Sequence, residues 1–427
     1  MTQVLDHAGV TAPTPKVQRL DSLDLLRGVG ILGILLMNTQ CMSMPSSAYM
    51  NPTDYPPFGD GYTGWNRIAW IIIHVFADMK FVTIFSIMFG AGIAIQADRS
   101  LVRGRRPWAV HYMRMFVLLL FGVAHAHLLW FGDILVMYCL SGMILFPCRA
   151  LPATLLIFLG VLMSAMTTME SYCEEIMPAP DRPRVVSWLA DTSQALVYGK
   201  VDSEDYPTIE EDSYRGGYAA EMRDRPWISL ENETTSFLRD WFWRYGGDIL
   251  IGMGLYKMRF FHGAWPRQAY SGLAAFLIPA GCMVTFVGVL YNESNNWDWA
   301  YLTFFGEQFN YWGSLITAFG YLCLGNVVAI LAAEHGRWII AKAVIPVRAI
   351  GKTALSNYIM QTLIGTTIFY GHGFGYYGYV SRVGLVGITV CIWIFQMIVS
   401  TIYVRHFKQG PLEWLWHRAV YFGKVPA

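Results

Sequence analysis

The chain alternates between long apolar runs and short polar segments. Ten runs come close to the length that a helix needs to cross about 30 Å of hydrocarbon. They lie at residues 23–43, 80–97, 113–130, 134–149, 151–170, 238–257, 268–290, 309–333, 353–370 and 383–404. This pattern predicts an all-α fold, a polytopic membrane helix bundle of about ten transmembrane helices. A shorter apolar segment, residues 65–76, is expected in the outer membrane interface.

Composition agrees with a membrane bundle. Of the 427 residues, 55% are hydrophobic and only 14% are charged, which excludes an ordinary soluble enzyme. No basic tract is interleaved with aromatic residues, so we expect no nucleic-acid partner. The seven cysteines lack metal-ligand spacing, and no metal is expected. Cys41 and Cys173 fall on the predicted outer side, where a disulfide could form.

The basic residues indicate the orientation. Five clusters of lysine and arginine fall on one side of the ten-span arrangement, and the longest loop on the other side is acidic. Both termini are therefore predicted in the cytoplasm, with a first helix that is retained rather than cleaved. The predicted regions are a cytoplasmic tail at 1–22, transmembrane halves at 23–170 and 238–404, an outer acidic loop at 171–237, and a cytoplasmic tail with an amphipathic helix at 405–427.

Polar side chains inside the apolar runs are the candidates for chemistry, because burying them in a membrane is costly. His125 lies near the outer end of the third span, and Asp133 lies in the short connection that follows. The imidazole could act as a general base oriented by the carboxylate, or Asp133 could cap the fourth helix. Trp130, in the same connection, is a candidate substrate contact. His127 points about 200° away from His125 around the helix, so one of the two is expected to be only a packed or interfacial residue. His74 is expected at the surface.

Two arginines each lie eleven residues before a polar group on the same helix. Arg114 precedes His125, and Arg27 precedes Asn38, so each pair shares one helix face. One interpretation is a lined path in which Arg27 and Arg114 clamp phosphate groups that arrive from the cytoplasm. The alternative is that both are interface anchors, with Arg27 paired to Asp24.

Two further groups have both a binding and a structural interpretation. Asp78 and Lys80, at the outer end of the second span, could form an interface ion pair or supply a cation beside a pocket. Thr353, Asn357 and Gln361 recur every four residues and predict one polar face on the ninth span. Such a face could bind substrate, although hydrogen bonding between helices is the more frequent use.

Five ordered sequence blocks resemble the DUF418 (YeiB-like) family of bacterial polytopic membrane proteins. They are SLDLLRGVGILGILLMN, DMKFVTIFSIMFGAG, GVAHAHLLWFGDIL, IGKTALSNYIMQ and GPLEWLW. In its first helices that family is similar to the transmembrane acyltransferase superfamily, which includes the acyltransferase-3 proteins and heparan-α-glucosaminide N-acetyltransferase. These relatives use a histidine to move an acyl group from cytoplasmic acyl-CoA to an acceptor across the membrane. Where the acyltransferase-3 pattern, counted from Arg27, has histidine, this chain has Asn38, so His125 is the best replacement.

The residues and the resemblance together predict an integral membrane acyltransferase of the bacterial cytoplasmic (inner) membrane. Acyl-CoA, the expected donor substrate, would bind from the cytoplasm against Arg27 and Arg114. His125, helped by Asp133, would deprotonate an extracytoplasmic hydroxyl or amine acceptor. The expected partners are the lipid bilayer, acyl-CoA, the unknown acceptor and a second copy of the chain in a homodimer.

Three functions remain open at this point. In an acyltransferase, Asn38 or Lys80 would stabilise the oxyanion. In a transporter or exporter of a small molecule or lipid-like substrate, the same polar groups would bind cargo or a proton. In a sensor or scaffold, the acidic outer loop would carry the function instead.

Overall fold

The protein is all-helical in the part of the chain that the structure describes. The structure is a computed structural model, and it describes residues 16–54, 61–197, 206–334 and 336–421. In chain order the helices are α1 (Lys16–Ser43), α2 (Ser46–Met50), α3 (Gly64–Phe76), α4 (Lys80–Val102), α5 (Pro107–Leu128), α6 (Leu135–Leu145), α7 (Ala153–Glu175), α8 (Arg184–Val197), α9 (Tyr206–Arg215), α10 (Tyr218–Glu231), α11 (Phe242–Lys257), α12 (Arg267–Ser294), α13 (Trp299–Tyr301), α14 (Glu307–Ala333), α15 (Trp338–Lys352), α16 (Ala354–Phe369), α17 (Arg382–His406) and α18 (Pro411–Val420). Short 3-10 helices lie at Phe146–Ala150, Ala179–Asp181 and Phe260–His262, and π-helices lie at Asn232–Trp241 and Leu302–Gly306.

Within the described residues, seven helical segments are long and apolar enough to cross a membrane. They are Ser22–Ser43, Gly64–Val102, Pro107–Leu128, Ala153–Glu175, Arg267–Ser294, Trp299–Ala333 and Arg382–His406. The predicted all-α membrane bundle is therefore confirmed. The predicted tail at 1–22 begins outside the described residues, which start at residue 16.

Three of the ten predicted spans correspond to shorter helices in the middle of the bundle. α6 has 11 residues, and α11 and α16 have 16 each. At 1.5 Å per residue, a helix of 16 residues covers only about 24 Å. All three present many buried residues to their neighbours. The count of ten transmembrane helices consequently stays a prediction.

Close backbone contact joins α4 and α11 at the centre of the largest core cluster. An ideal Cβ built on Gly90 would lie 2.1 Å from the carbonyl oxygen of Ile249, and one built on Gly252 would lie 1.9 Å from that of Ile87. Any side chain at either glycine would force the two helices apart, as expected for small residues at helix interfaces in membranes. This contact fixes α4, which forms one wall of the cavity described below.

The chain departs from the sequence prediction between α14 and α16. This segment was predicted as a basic connection, yet it forms α15, which packs against α1 and α17. An ideal Cβ on Gly351 would meet the carbonyl oxygen of Asp24 at 1.8 Å. The small residue thus lets α15 lie directly on the start of α1.

The predicted outer loop at 171–237 contains α8, α9 and α10, and α10 covers the C-terminal end of α5. Arg225 donates a hydrogen bond to the carbonyl oxygen of Leu128 at 2.8 Å, and Ser229 donates to that of Ala126 at 3.0 Å. Both side chains are completely buried. Residues 198–205 of this loop lie outside the described residues. Cys41 and Cys173 are both free thiols, so the disulfide considered for them is not formed.

Candidate functional site

A cavity of about 560 Å³ opens at the end of the bundle where several arginines gather. Its walls come from α1, α4, α5, α6, α15, α16 and α18. The basic side chains that line it are Arg27, Arg99, Arg103, Arg105, Arg114, Lys352 and His417. Its inner part is lined instead by apolar and aromatic side chains, among them Phe85, Phe89, Leu118, Tyr138 and Tyr358. The cavity is therefore cationic at one end and apolar at the other.

The two arginines singled out from the sequence both line this cavity. Arg27, on α1, lies 3.9 Å from the carboxylate of Asp24. Arg114, on α5, stacks its guanidinium 4.1 Å from the ring of Trp416, whose indole nitrogen donates to the Arg114 carbonyl oxygen at 3.1 Å. The predicted amphipathic helix at the C-terminus, α18, therefore forms part of the cavity mouth.

A buried histidine–aspartate pair lies beyond the inner end of the cavity. His125 Nδ1 and Asp133 Oδ1 are 2.8 Å apart, and the side chains are 1% and 2% exposed. The other carboxylate oxygen accepts a hydrogen bond from the amide of Val136 at 2.8 Å. Asp133 therefore contacts both the imidazole and the first turn of α6, whose N-cap residue is Ile134. Its catalytic role stays a prediction.

A threonine on α16 occupies the other side of the imidazole. Thr362 Oγ1 lies 2.9 Å from His125 Nε2, and its side chain is completely buried. With Nδ1–H donating to Asp133, Nε2 is the acceptor and the threonine hydroxyl is the donor. Sequence reasoning missed Thr362, which is 237 positions from His125. The available signal was its place beside Gln361 on a helix with an uninterrupted polar face.

Tyr358 separates the cavity from the histidine. It lines the cavity, and its ring centroid lies 5.0 Å from that of His125. Its hydroxyl accepts a hydrogen bond from the amide of Ile134 at 3.3 Å and donates to the carbonyl oxygen of Gly132 at 3.4 Å. One aromatic side chain, tied to the connection between α5 and α6, thus stands between the cavity and the imidazole.

Trp130 lies beside the imidazole, in an aromatic cluster. Its ring meets that of His125 edge-on, with 6.4 Å between centroids. The cluster around Trp130 also contains Phe131, Tyr214, Tyr370 and Tyr377. The predicted substrate contact of Trp130 stays a prediction, since this side chain is buried among aromatic neighbours rather than in the cavity.

Comparison with known proteins places the chain in a family. It is 30% identical to "Uncharacterized protein YxaH" of Bacillus subtilis (strain 168), over 97% of each chain. The chain belongs to the DUF418 family. The model of that family, described as "Protein of unknown function (DUF418)", matches residues 255–423. The chain is also 28% identical to "Uncharacterized protein YeiB" of Escherichia coli (strain K12), over 96% of this chain and 98% of the relative. No solved structure matches the sequence.

In this DUF418 chain, His127 and His74, the two other histidines considered from the sequence, contact acidic side chains away from His125. His127 lies 3.1 Å from Glu233, on the π-helix Asn232–Trp241, so it does not share the environment of His125. Burial raises the pKa of the Glu233 carboxyl, and the hydrogen bond with His127 opposes that shift. His74 was expected at the surface, but it pairs with Asp78 at 2.9 Å and stacks on Trp70.

Lys80 belongs to a buried network that is separate from the His125 pair. Its ammonium donates to the carbonyl oxygen of His74 at 2.8 Å and to Asn310 Oδ1 at 2.6 Å. Asn310 in turn donates to Asp78 at 2.9 Å, so an amide bridges Asp78 and Lys80 in place of a direct ion pair. Asn38 is half-buried on α1. Among the described residues, neither Asn38 nor Lys80 is hydrogen-bonded to the pair, and the geometry favours neither as an oxyanion donor.

The amide stripe of the DUF418 chain on α16 holds helices together. Asn357 donates to Ser400 of α17 at 3.0 Å. Gln361 donates to the carbonyl oxygen of Ile31 in α1 at 3.1 Å and to Gln396 of α17 at 2.9 Å. Neither amide lines the cavity. Their substrate-binding role stays a prediction, while the geometry is that of hydrogen bonding between helices.

Proposed function

We propose that this DUF418 protein is a membrane acyltransferase that moves an acyl group from cytoplasmic acyl-CoA to a hydroxyl or amine acceptor on the outer side. The observation that carries the proposal is the cavity that leads from a cluster of arginines to the side chain in contact with His125. A basic mouth, an apolar interior and a base beyond it are the three parts that this reaction requires. The basic end faces the cytoplasm in the orientation that the positively charged residues favour.

The donor fits the cavity by its chemistry. Acyl-CoA has a nucleotide head with phosphate groups, followed by a long, flexible arm that ends in the thioester. Guanidinium groups bind phosphate through paired, charge-assisted hydrogen bonds, and Arg27 and Arg114 sit at the entrance. The aromatic and aliphatic walls beyond them suit an acyl chain or the arm that carries it. The thioester would then lie near Tyr358.

The histidine–aspartate pair supplies the base. With Asp133 accepting from Nδ1, Nε2 has the lone pair that would accept a proton, and the Thr362 hydroxyl lies 2.9 Å from it. A base within hydrogen-bonding distance of the attacking group typically accelerates such a step by about 10²–10⁴-fold. Reaching Nε2 from the cavity requires the ring of Tyr358 to rotate, and its two long hydrogen bonds of 3.3 and 3.4 Å allow such a movement.

The proposal can be tested with the purified full-length protein in lipid nanodiscs. Thiol release is followed from acyl-CoAs of increasing chain length, with hydroxyl and amine acceptors added in turn. We expect release that depends on the acceptor and is lost in His125→Gln. His127→Gln is the matched control, because the second histidine lies two residues away and contacts Glu233 instead. Equal release from both variants at equal folded protein would remove His125 from the mechanism.

A transporter is the second candidate, and a buried ion pair favours it. Arg244 and Asp248, on α11, are 1% and 0% exposed, with 3.8 Å between Arg244 Nε and Asp248 Oδ2. Charges buried in a membrane bundle often mark ion or substrate paths. This reading predicts movement of a solute across proteoliposomes without covalent change, and loss of that movement in Asp248→Asn.

A further inference from the structure

Thr362 completes a chain of three buried groups in which each is within hydrogen-bonding distance of the next. From the proposed function, on which this inference rests, we propose that Thr362 is the nucleophile and carries the acyl group as a covalent ester between donor and acceptor. The chain runs from Asp133 through His125 to Thr362, with separations of 2.8 and 2.9 Å. A hydroxyl, a base and a group that orients the base are the parts of an activated oxygen nucleophile.

The tautomer that Asp133 favours supports this role. When Nδ1 carries the proton and donates it to Asp133, Nε2 of His125 has no proton and faces the Thr362 hydroxyl. The carbonyl oxygen of Tyr358, the usual acceptor for a threonine four residues later in a helix, lies farther from that hydroxyl, at 3.5 Å. In that tautomer the hydroxyl donates to the imidazole over the shorter of its two contacts, which is the arrangement in which the imidazole can remove the proton.

The position of Thr362 also suits the transfer of an acyl group from donor to acceptor. Tyr358 and Thr362 are four residues apart on α16 and so lie on the same face, one turn from each other. Tyr358 lines the inner end of the cavity, and Thr362 is the next side chain along that face. The donor comes from the basic end, whereas the acceptor comes from the other side. An acyl group held on Thr362 removes the need for both substrates to reach the site at once.

The reaction balances with the two substrates alone. In the first half, Thr362 Oγ attacks the thioester carbonyl carbon while Nε2 of His125 takes the hydroxyl proton. The carbon–sulfur bond then breaks, and the imidazolium returns that proton to the departing CoA thiolate. In the second half, the acceptor oxygen or nitrogen attacks the ester carbonyl and His125 takes its proton. The bond to Thr362 Oγ breaks, and the proton passes to that oxygen.

A structural role makes a different prediction. If the Thr362 hydroxyl only ties α16 to the connection between α5 and α6, its removal lowers stability but no acyl group ever becomes attached. Thr366 offers a matched control one turn further along α16. It is 3% exposed, and its hydroxyl donates to the Thr362 carbonyl oxygen at 2.9 Å, away from the histidine.

The experiment traps the intermediate in the absence of acceptor. Full-length protein in nanodiscs is mixed with acyl-CoA carrying a radiolabelled acyl group, quenched in acid, digested, and mapped by mass spectrometry. We expect a burst of free CoA near one equivalent per protein and label on Thr362. Thr362→Ser should keep the label at that position, Thr362→Val should lose it, and Thr366→Val should keep it on Thr362.

The outcomes separate this inference from the proposed function. Acceptor-dependent CoA release by wild type and by Thr362→Val, with no label on Thr362, would overturn the covalent intermediate and leave the acyltransferase proposal standing. Label on another residue would do the same. Wild-type protein that releases no CoA from any acyl-CoA, with any acceptor, would refute the acyltransferase and the intermediate together. Because the label is mapped on wild type, poor folding of a variant does not hide the answer.

Discussion

Asp133 contacts His125 and the backbone of α6 with different oxygens of the same carboxylate. One oxygen lies 2.8 Å from His125 Nδ1, and the other accepts from the Val136 amide at 2.8 Å. The connection between α5 and α6 is therefore held by the group that also sets the tautomer of the imidazole. Substitutions at Asp133 should affect both folding and chemistry, and the two effects can be measured separately.

Asp133→Asn should reduce acyl transfer far more than it reduces stability. An asparagine can keep its oxygen on the Val136 amide, but its NH₂ group then faces Nδ1 of His125. That moves the proton to Nε2, where the base is needed, and a comparable change in a catalytic triad costs about 10⁴-fold in rate. We expect a loss of at least about 10²-fold per folded protein, measured by CoA release, with about 1 kcal/mol of stability lost.

Asp298→Asn is the control for the helix cap. Asp298 accepts from the Ala300 amide at 2.9 Å at the start of α13, in an exposed position and without a histidine. The Asp298→Asn substitution should change neither the rate of acyl transfer nor the tautomer of His125. Equal transfer rates in both variants would show that Asp133 only stabilises α6.

The overall class of the fold could be predicted because hydrophobic length is a local property of the sequence. The start of α18 follows from Gly410 and Pro411, which begin a helix with apolar and charged residues on different sides. α15 could not be predicted in this way, because its many basic residues look like a cytoplasmic loop. It is held as a helix by contacts with α1, such as the carbonyl of Asp24 against Gly351.

The candidate site could be predicted only where its residues are near in sequence. His125 and Asp133 are eight positions apart, and the short connection between two apolar runs brings them together. Thr362 and Asn310 could not be assigned, because they reach His125 and Lys80 from 237 and 230 positions away. Which face of α16 meets α5 depends on packing across the whole bundle, and one sequence does not encode it in any local pattern.

Arg114→Ala should weaken the binding of acyl donors that carry phosphate and leave the use of other donors unchanged. A hydrogen bond to a charged group typically contributes about 1.5–3 kcal/mol, so KM for acyl-CoA should rise roughly 10-fold or more. The matching acyl thioester of N-acetylcysteamine has no phosphate, and its kcat/KM should stay near the wild-type value. Arg149→Ala is the control, since Arg149 stacks on Phe146 at 3.9 Å and does not line the cavity. Equal losses with both donors would instead indicate a general distortion.

Docking of α18 should weaken as the pH rises. Glu413 accepts hydrogen bonds from the Leu355 amide and from Ser356, at the start of α16. Burial raises the pKa of its carboxyl above the ordinary 4.5, and the bonds from Ser356 oppose that shift only in part. A group with a raised pKa in the folded state binds its proton more tightly there. Its contribution to stability is therefore complete below pH 4.5 and is lost as the pH rises through the raised pKa.

Glu413→Gln should remove this pH dependence. Thermal unfolding of wild type and variant is compared across the window that begins at pH 4.5. We expect the difference between the two melting temperatures to change with pH in the direction that disfavours wild type at higher pH. Glu334→Gln is the control, because Glu334 forms exposed ion pairs with Arg267 and Arg337. A constant difference between wild type and Glu413→Gln would contradict the assignment.

Gly252→Ala should separate α4 from α11 and reduce both the stability of the protein and its affinity for acyl-CoA. The added methyl group would lie 1.9 Å from the carbonyl oxygen of Ile87, a backbone atom that moves only if the helix moves. Overpacking of this kind costs about 1–3 kcal/mol. Gly272→Ala, on α12, meets nothing within 4 Å and should be neutral or slightly stabilising, since alanine favours a helix. The two variants are compared by thermal unfolding in the same detergent. An equal effect of both substitutions would mean that the α4–α11 contact is not as tight as its geometry indicates. Because α4 lines the cavity, the Gly252 variant should also bind acyl-CoA less tightly at temperatures where it is still folded.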